Sequence, residues 1–274
     1  SACLVGSEMC IRDSFLRQTA KSNGIPLTHA ALVLPSTEVF TRELVMPAMT
    51  EQQLLYNLPY EFRDYLTEEK NKYFFDYSMR EVLRDESGQP TEMNLLACAT
   101  LKGTVESYRT MLRRAGFRLR VLTPSECAYS AVLQAYYRRT QQEGHDLCVV
   151  NLGHSATFLY IYRGGHFASR REIEVGVSDL EHLVADQCSV DVHVAHEYVR
   201  QNYNHVLESE QARELYGRIA VEVVKAVNFF NYNNRERELT QLCLCGGGSA
   251  IQPLYDTIAD TTGMTLHTSA ELLG

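Results

Sequence analysis

The sequence lacks the long apolar run that a membrane-spanning helix needs, since no stretch approaches roughly 20 consecutive apolar residues. It also lacks an excess of basic residues: 34 Asp and Glu outnumber 26 Lys and Arg, which gives a formal net charge of −8. Such a surface repels phosphate backbones, so nucleic acid is not expected as a partner. We therefore predict a soluble protein that does not insert into a membrane and reaches one only through a partner.

The eight cysteines include no C-x-x-C pair, which removes the usual signature of a redox motif or a structural zinc site. Four of them lie inside apolar, strand-like runs, where cysteine behaves as a small hydrophobic residue: Cys98, Cys148, Cys243 and Cys245. His193 and His196 are expected to share a helix face, with His182 on the preceding helix, but no third and fourth zinc ligands are evident. We predict reduced core thiols and no metal site.

The sequence also has no Gly/Ser-rich linker, internal repeat or low-complexity segment, and its 274 residues suit two lobes better than one. Short apolar runs typical of strands alternate with segments of helical periodicity, and the pattern restarts at Leu147. This alternation predicts an α/β architecture with a deep cleft between two lobes. Ligands usually bind in such clefts.

Residues 1–14 follow none of these patterns. They lack the basic segment and the apolar core of a signal peptide. The string resembles a translated sequencing-adapter artefact, and a genuine disordered tail is the alternative. We expect this segment to be artefactual or disordered. If it is artefactual, the real coding sequence starts near Phe15 and its true N-terminus is missing.

Two segments carry the signals of a helix start. Thr50 and Gln53 have the spacing of a capping box, and apolar residues follow them at helical spacing. Pro59 lies inside this pattern and is expected to kink or split the helix. The second start is Thr123-Pro124-Ser125-Glu126, in which threonine is the cap, proline takes the first helical position and glutamate completes the box.

A glycine turn follows the apolar strand that begins at Leu147. The segment reads Asn151-Leu152-Gly153-His154-Ser155-Ala156-Thr157, and the chain then continues as a second strand. Such a turn directs consecutive backbone N–H groups at one place, which is typical of a phosphate-binding nest. An ordinary hairpin turn is the alternative interpretation.

A second glycine turn lies between a buried strand and a helix near the end of the sequence. It reads Gly246-Gly247-Gly248-Ser249 and follows the strand Gln241–Cys245. Three glycines allow a flat ligand to lie over bare backbone, and the N-terminus of the following helix favours anions. A tight strand-to-helix connection is the alternative.

Taken together, the two turns resemble the second phosphate loop and the adenosine loop of the actin-like ATPase superfamily, which includes sugar kinases. More closely, the chain resembles the PilM family of type IV pilus assembly proteins, which are relatives of the cell-division protein FtsA. The closer match is carried by residues 34–44, 58–62 with Tyr65, 151–157, 171–176 and 245–249.

The resemblance implies an actin-like, ribonuclease-H-like two-lobed α/β fold with a nucleotide cleft between the lobes. Residues 15–49 and 123–145 would form the core of the first lobe, and residues 50–122 a subdomain inserted into it. Residues 146–274 would form the second lobe and carry the nucleotide loops. The first phosphate loop of the superfamily would precede Phe15, so we expect the first lobe to be truncated at its start and the chain to stop short of the family's usual end.

The resemblance also implies that the protein binds ATP, with Mg²⁺ if metal binding or hydrolysis is retained. Asn151 stands where the superfamily usually has aspartate. An amide cannot act as a general base, so we expect at most a weak ATPase and assign no catalytic residue. The predicted nucleotide-binding residues are Asn151, Gly153, His154, Ser155, Thr157, Lys225, Gly246, Gly247, Gly248 and Ser249.

The partner implied by the resemblance is the cytoplasmic tail of a PilN-like inner-membrane protein. An extended tail would be held between the core of the first lobe and its inserted subdomain, with residues 34–44 and the helix bearing Tyr60 as walls. The predicted partner-binding residues are Arg42, Tyr60, Phe62 and Tyr65. We accordingly expect a cytoplasmic protein, peripheral to the inner face of the cytoplasmic membrane.

Two other functions remain open at this point. A cell-division protein related to FtsA would normally carry a C-terminal amphipathic membrane helix, which this sequence lacks. A sugar- or acetate-kinase-like phosphotransferase would need a catalytic acidic residue near the cleft. Asn151 argues against this second alternative.

Overall fold

The computed structural model describes residues 14–141, 144–235 and 238–274. The chain divides into two compact units, Ser1–Ala128 and Tyr129–Gly274. The unusual segment that we predict to be artefactual or disordered lies outside the described residues, apart from Ser14 at the start of the first described helix. The predicted division into a first-lobe core, an inserted subdomain and a second lobe stays a prediction.

The first unit contains two small sheets. Its elements follow in the order α1 (14–22), β1 (His29–Leu34), β2 (Phe40–Pro47), α2 (Glu51–Glu61), β3 (Tyr73–Arg84), β4 (Pro90–Leu101), α3 (Lys102–Ala115), β5 (Arg118–Pro124) and the first turn of α4 (Ser125–Thr140). Strands β1 and β5 pair in parallel, whereas β2, β4 and β3 form an antiparallel sheet in that order. The alternation of strands and helices that the sequence predicts for this half is therefore confirmed.

Helix α2 begins as the sequence predicts. The Thr50 side chain accepts a hydrogen bond from the Gln53 N–H, and the Gln53 side chain accepts one from the Thr50 N–H, so both halves of the capping box are present. The helix runs through Pro59 without splitting and ends at Glu61.

The β2-β4-β3 sheet has two different faces because side chains alternate along each strand. One face packs against α2 and forms a core of the first unit, made of Leu44, Met46, Leu54, Leu58, Phe62, Tyr73, Met93, Leu95, Ala97 and Ala99. On the other face, cross-strand pairing places Thr41, Cys98 and Asp76 in one row across the three strands. This second face lies away from α2.

The second predicted helix start is wrong by one residue. Thr123 and Pro124 belong to β5, where they pair with Val33 and Leu34 of β1, and α4 begins at Ser125. The local signals for a cap are overridden because the neighbouring strand offers a ladder of hydrogen bonds. Glu126 is fully buried and accepts a hydrogen bond from the Thr41 hydroxyl at 3.2 Å.

The second unit is a five-stranded mixed sheet with helices packed on it. After α4 its elements are β6 (Leu147–Leu152), β7 (Thr157–Arg163), β8 (His166–Ile173), α5 (Val177–Cys188), α6 (Val192–Gln201), α7 (Glu210–Asn233), β9 (Gln241–Cys245), α8 (Gln252–Thr262), β10 (Thr265–Thr268) and α9 (Ser269–Leu273). The strand order is β10-β9-β6-β7-β8, with β6, β9 and β10 parallel. A single core joins β6, β7 and β9 to the four helices α5, α6, α7 and α8.

Cys148 lies buried in this core, and Cys243 is buried on β9 between two residues of the core, Leu242 and Leu244. Burial raises the pKa of the Cys243 thiol to about 12. Both residues therefore pack as small hydrophobic side chains, as their apolar surroundings in the sequence predict. In the described ranges, no helix combines the length and the apolar character that crossing a membrane would require.

Candidate functional site

The two glycine turns lie at the same edge of the second unit's sheet. Strands β6 and β9 are parallel neighbours, and Asn151 pairs with Cys245. The carboxyl ends of both strands therefore meet at one edge, and the turn after each strand begins there. Ligands of open α/β sheets usually bind at this kind of edge.

Glycine is required where the second turn meets the first. Gly246 has a φ of +84°, and a Cβ atom there would overlap Oδ1 of Asn151 and lie 2.6 Å from the carbonyl oxygen of Leu152. A Cβ on Gly248 would lie 2.8 Å from Cβ of Leu152. The structure therefore brings Asn151, Gly246 and Gly248 together, as we predict from the sequence.

The first turn keeps some of its backbone N–H groups available. Gly153 donates its N–H to the carbonyl oxygens of Asn151 and Ala156 at 3.0 and 3.1 Å. Within the described ranges, no backbone hydrogen bond uses the N–H of His154 or Ser155. Successive N–H groups that are not needed by the fold are suited to bind an anion.

Gly176 supports the back of this turn, and sequence reasoning missed its role. The residue caps α5, and its N–H donates to Oδ2 of Asp179 at 2.8 Å. A Cβ at this position would overlap the carbonyl oxygen of His154 and lie 2.7 Å from the backbone nitrogen of Ala156. The available signal was the Gly-x-x-Asp spacing at the start of a helix, which is that of a capping box.

Two predicted nucleotide-binding residues, Thr157 and Ser249, donate their hydroxyl groups to backbone carbonyl oxygens of the protein. Thr157 is almost fully buried, and its hydroxyl donates to the carbonyl oxygen of Val175 at 2.9 Å. The Ser249 hydroxyl donates to the carbonyl oxygen of Gly246 at 2.7 Å. Both side chains hold their turns in shape, whereas Gly247 has no heavy atom within 4 Å of an added Cβ and leaves open space over the backbone.

Lys225 is not brought to the turns by any contact in the described ranges. Its Nζ lies 2.6 Å from Oε1 of Glu222, and this hydrogen bond lowers the pKa of the Glu222 carboxyl. The part of α7 that reaches the first turn is Leu215 to Ile219, which lines a small cavity with Gly153. Lys225 lies six residues further, or about 9 Å along the helix axis.

The turn residue His154 has a buried carboxylate beside it that sequence reasoning also missed. The Glu181 side chain is only 7% exposed, and its Oε1 lies 2.8 Å from Nδ1 of His196 and 3.9 Å from Nδ1 of His154. A buried carboxylate needs a partner of this kind. His196 on α6 thus pairs with Glu181 on α5. In the described residues, no group of three His, Cys, Asp or Glu side chains is arranged to hold a metal ion.

The predicted partner-binding residues lie on the α2 side of the first unit. Tyr60 is 48% exposed and carries the Lys70 ammonium 4.6 Å from its ring centroid. The Arg42 guanidinium lies 5.0 Å from the Tyr65 ring centroid and donates to the carbonyl oxygen of Glu61 at the end of α2. Phe62 is fully buried, 5.9 Å from the Phe75 ring, so it is not a surface anchor.

The open groove of the first unit lies on the opposite face of the sheet. It encloses about 360 Å³. Leu34 and Val39 belong to residues 34–44, which we predict to form one wall of the tail-binding site. The other lining residues come from β3, β4, α3, β5 and the start of α4, and none comes from α2. The groove is lined by Leu34, Val39, Phe74, Asp76, Tyr77, Ser78, Leu96, Cys98, Thr100, Val105, Leu122, Thr123, Pro124 and Cys127.

The fold is similar to that of a solved PilM protein. A chain of a structure described as the PilM-PilN type IV pilus biogenesis complex matches with a TM-score of 0.69 and 19% identity over 86% of this chain and 67% of that chain. Weaker similarity, with a TM-score of 0.47 and 15% identity, extends to the ethanolamine utilization protein EutJ from Carboxydothermus hydrogenoformans, over 64% of this chain and 58% of that one. An archaeal actin homolog matches with a TM-score of 0.42 and 13% identity, over 72% of this chain and 88% of that one.

The match to the PilM chain confirms the predicted actin-like α/β fold class. No curated protein matches the sequence. A family model described as type IV pilus assembly protein PilM matches residues 10–270, which is nearly the whole chain. The chain therefore belongs to the PilM family of type IV pilus assembly proteins.

Proposed function

We propose that this protein is a cytoplasmic, actin-like, ATP-binding component of type IV pilus biogenesis that holds the cytoplasmic tail of a PilN-like inner-membrane protein. Family membership supports the process, and the similar solved chain comes from a complex of PilM with PilN. The protein would lie at the inner face of the cytoplasmic membrane because its partner is anchored there.

The groove of the first unit is the observation that carries the tail-binding proposal. Its volume of about 360 Å³ is of the size that accepts several side chains, and most of its lining is apolar. Phe74 is half exposed on the groove wall and offers an aromatic anchor for an extended peptide. No residue of α2 lines this groove.

Replacing Phe74 by alanine is expected to weaken tail binding by about 2 kcal/mol or more, which is about thirtyfold, because a buried aromatic anchor dominates such interfaces. Fluorescence anisotropy with a synthetic tail peptide measures the change, and circular dichroism checks folding. Tyr60→Ala is the matched control on the opposite face and should bind as the parent does. A loss with Tyr60→Ala and none with Phe74→Ala would place the tail on α2 instead.

We also propose that ATP binds at the two glycine turns. The N–H groups of His154 and Ser155 would hold phosphate oxygens, and the bare backbone at Gly247 would face the adenosine part. The site fits phosphate, because the glycines leave room and the donors are available. Bound Mg²⁺ would take most ligands from phosphate and water, with the Asn151 amide oxygen as the nearby protein donor.

Hydrolysis is expected to be weak, because the amide of Asn151 cannot remove a proton from water. Isothermal titration calorimetry with ATP and Mg²⁺ tests binding, and release of inorganic phosphate tests turnover. A titration that produces no binding heat at several temperatures would contradict the nucleotide proposal and leave the tail proposal standing.

A further inference from the structure

The groove carries its charge at one position. Among the described residues that line it, Asp76 is the one with a charged side chain, and it is exposed. Strand pairing places Asp76 opposite Cys98 on β4, and Cys98 opposite Thr41 on β2. Asp76 thus stands at the end of a polar row that crosses the groove floor.

A second carboxylate lies at the other end of this row. The buried Glu126 accepts the hydrogen bond of Thr41. Burial raises the pKa of the Cys98 thiol to about 12, and the charges of Asp76 and Glu126 contribute in the same direction. The charges of both carboxylates thus reach the Cys98 thiol on the groove floor.

The nearby cations do not neutralise Asp76. Arg80 pairs with Glu43 at 3.0 Å, and the Lys102 ammonium lies over the Phe74 ring, 5.4 Å from its centroid. In the described ranges Asp76 has no salt-bridge partner, and its Oδ1 accepts the N–H of Tyr77 at 2.8 Å. The carboxylate is therefore available to a cation that enters the groove.

We propose that Asp76 selects the partner tail by pairing with a Lys or Arg side chain that lies between apolar residues of that tail. This inference rests on the proposed function, because the occupant is the cytoplasmic tail of an inner-membrane protein. Cytoplasmic segments next to membrane helices carry an excess of Lys and Arg, so the expected tail has the complementary charge. Apolar side chains would fill the groove around Phe74 and Leu122 while the cation contacts Asp76.

The pairing lies in a partly exposed groove, so its effect depends on salt. We expect Asp76→Asn to weaken binding of the synthetic tail peptide about five- to tenfold at low ionic strength and less at high ionic strength. Glu81→Gln is the matched control, since Glu81 is also exposed on β3 but does not line the groove. It should leave the affinity within about twofold of the parent value.

A peptide in which Lys and Arg are replaced by Gln should bind the parent weakly and should not distinguish the parent from Asp76→Asn. The charge reversal adds a gain of function: Asp76→Lys should bind a peptide with Glu at those positions better than the parent does. Anisotropy at low and high salt gives all of these affinities.

Equal affinity of the parent and Asp76→Asn for the tail, at both salt concentrations, would overturn the inference and leave the tail proposal intact. Absence of any binding by the parent would instead reject the proposed function, and the selectivity with it. If the Asp76 variants change the sedimentation of the protein and not peptide binding, a second copy of the chain occupies the groove, which also overturns the inference.

Discussion

Replacing Phe62 by alanine is expected to lower the free energy of unfolding of the first unit by about 3–5 kcal/mol. The side chain has no exposed surface, packs in the core between α2 and the sheet, and places its ring 5.9 Å from that of Phe75. Removing the ring loses its transfer free energy and leaves a cavity, because Leu54 and Leu58 are held on the helix and cannot fill the space.

Urea unfolding followed by circular dichroism measures the change as a lower midpoint at an unchanged slope. Tyr56→Ala is the matched control: Tyr56 lies on the same helix, is 70% exposed, and should change the stability by about 0.5 kcal/mol or less. A loss below about 1 kcal/mol for Phe62→Ala would show that the side chain is not in a closely packed core.

Gly176→Ala is expected to cost about 3 kcal/mol of stability and to abolish binding of ATP at the first turn. The added methyl would overlap the carbonyl oxygen of His154 and lie 2.7 Å from the nitrogen of Ala156. Both are backbone atoms, so the clash is relieved only by moving the turn. The movement also strains the hydrogen bonds from Val177 to Gly153 and from Ser178 to His154, at 3.0 and 2.8 Å.

Gly217→Ala and Gly247→Ala separate steric effects from ligand effects. An added Cβ has no heavy atom within 4 Å at either position. Gly217→Ala should raise the stability by up to about 1 kcal/mol, because alanine favours the interior of α7 more than glycine does. Gly247→Ala should stay close to the parent stability and should weaken ATP binding, because Gly247 lies in the second turn. Thermal unfolding and calorimetric titration of the three variants give the comparison. Parent-like stability and ATP affinity in Gly176→Ala would mean that the first turn is not held against the start of α5.

The two faces of the β2-β4-β3 sheet explain why the sequence alone does not distinguish the α2 surface from the groove as the place where a partner would bind. Arg42 and Thr41 are adjacent in the chain, yet Arg42 points to α2 and Thr41 to the groove side. The α2 surface and the groove both contain apolar and aromatic residues, so composition alone marks each of them as a binding surface. Which face is covered by α2 depends on the register between β2 and β4, and that register is a long-range property.

The local signals of the sequence did determine several elements of the fold. The capping box of Thr50 and Gln53 lies within four residues, so its two hydrogen bonds require no distant partner. The strand runs before the two glycine turns are apolar except for Asn151 and Gln241, which is sufficient to predict buried strands with turns at their ends. The match of these segments to one family also identified the family and the fold class.

Only the tertiary structure determined which residues that are distant in the sequence come into contact. Thr123 and Pro124 become strand residues because β1, far away in the sequence, offers hydrogen-bond partners that outweigh a local cap. Glu181 and His196 lie on different helices, so no spacing in the sequence reveals their contact of 2.8 Å. Phe62 has the aromatic character of a binding anchor, but the packing of α2 on the sheet buries it, since burying an aromatic ring in a core stabilises more than exposing it to water.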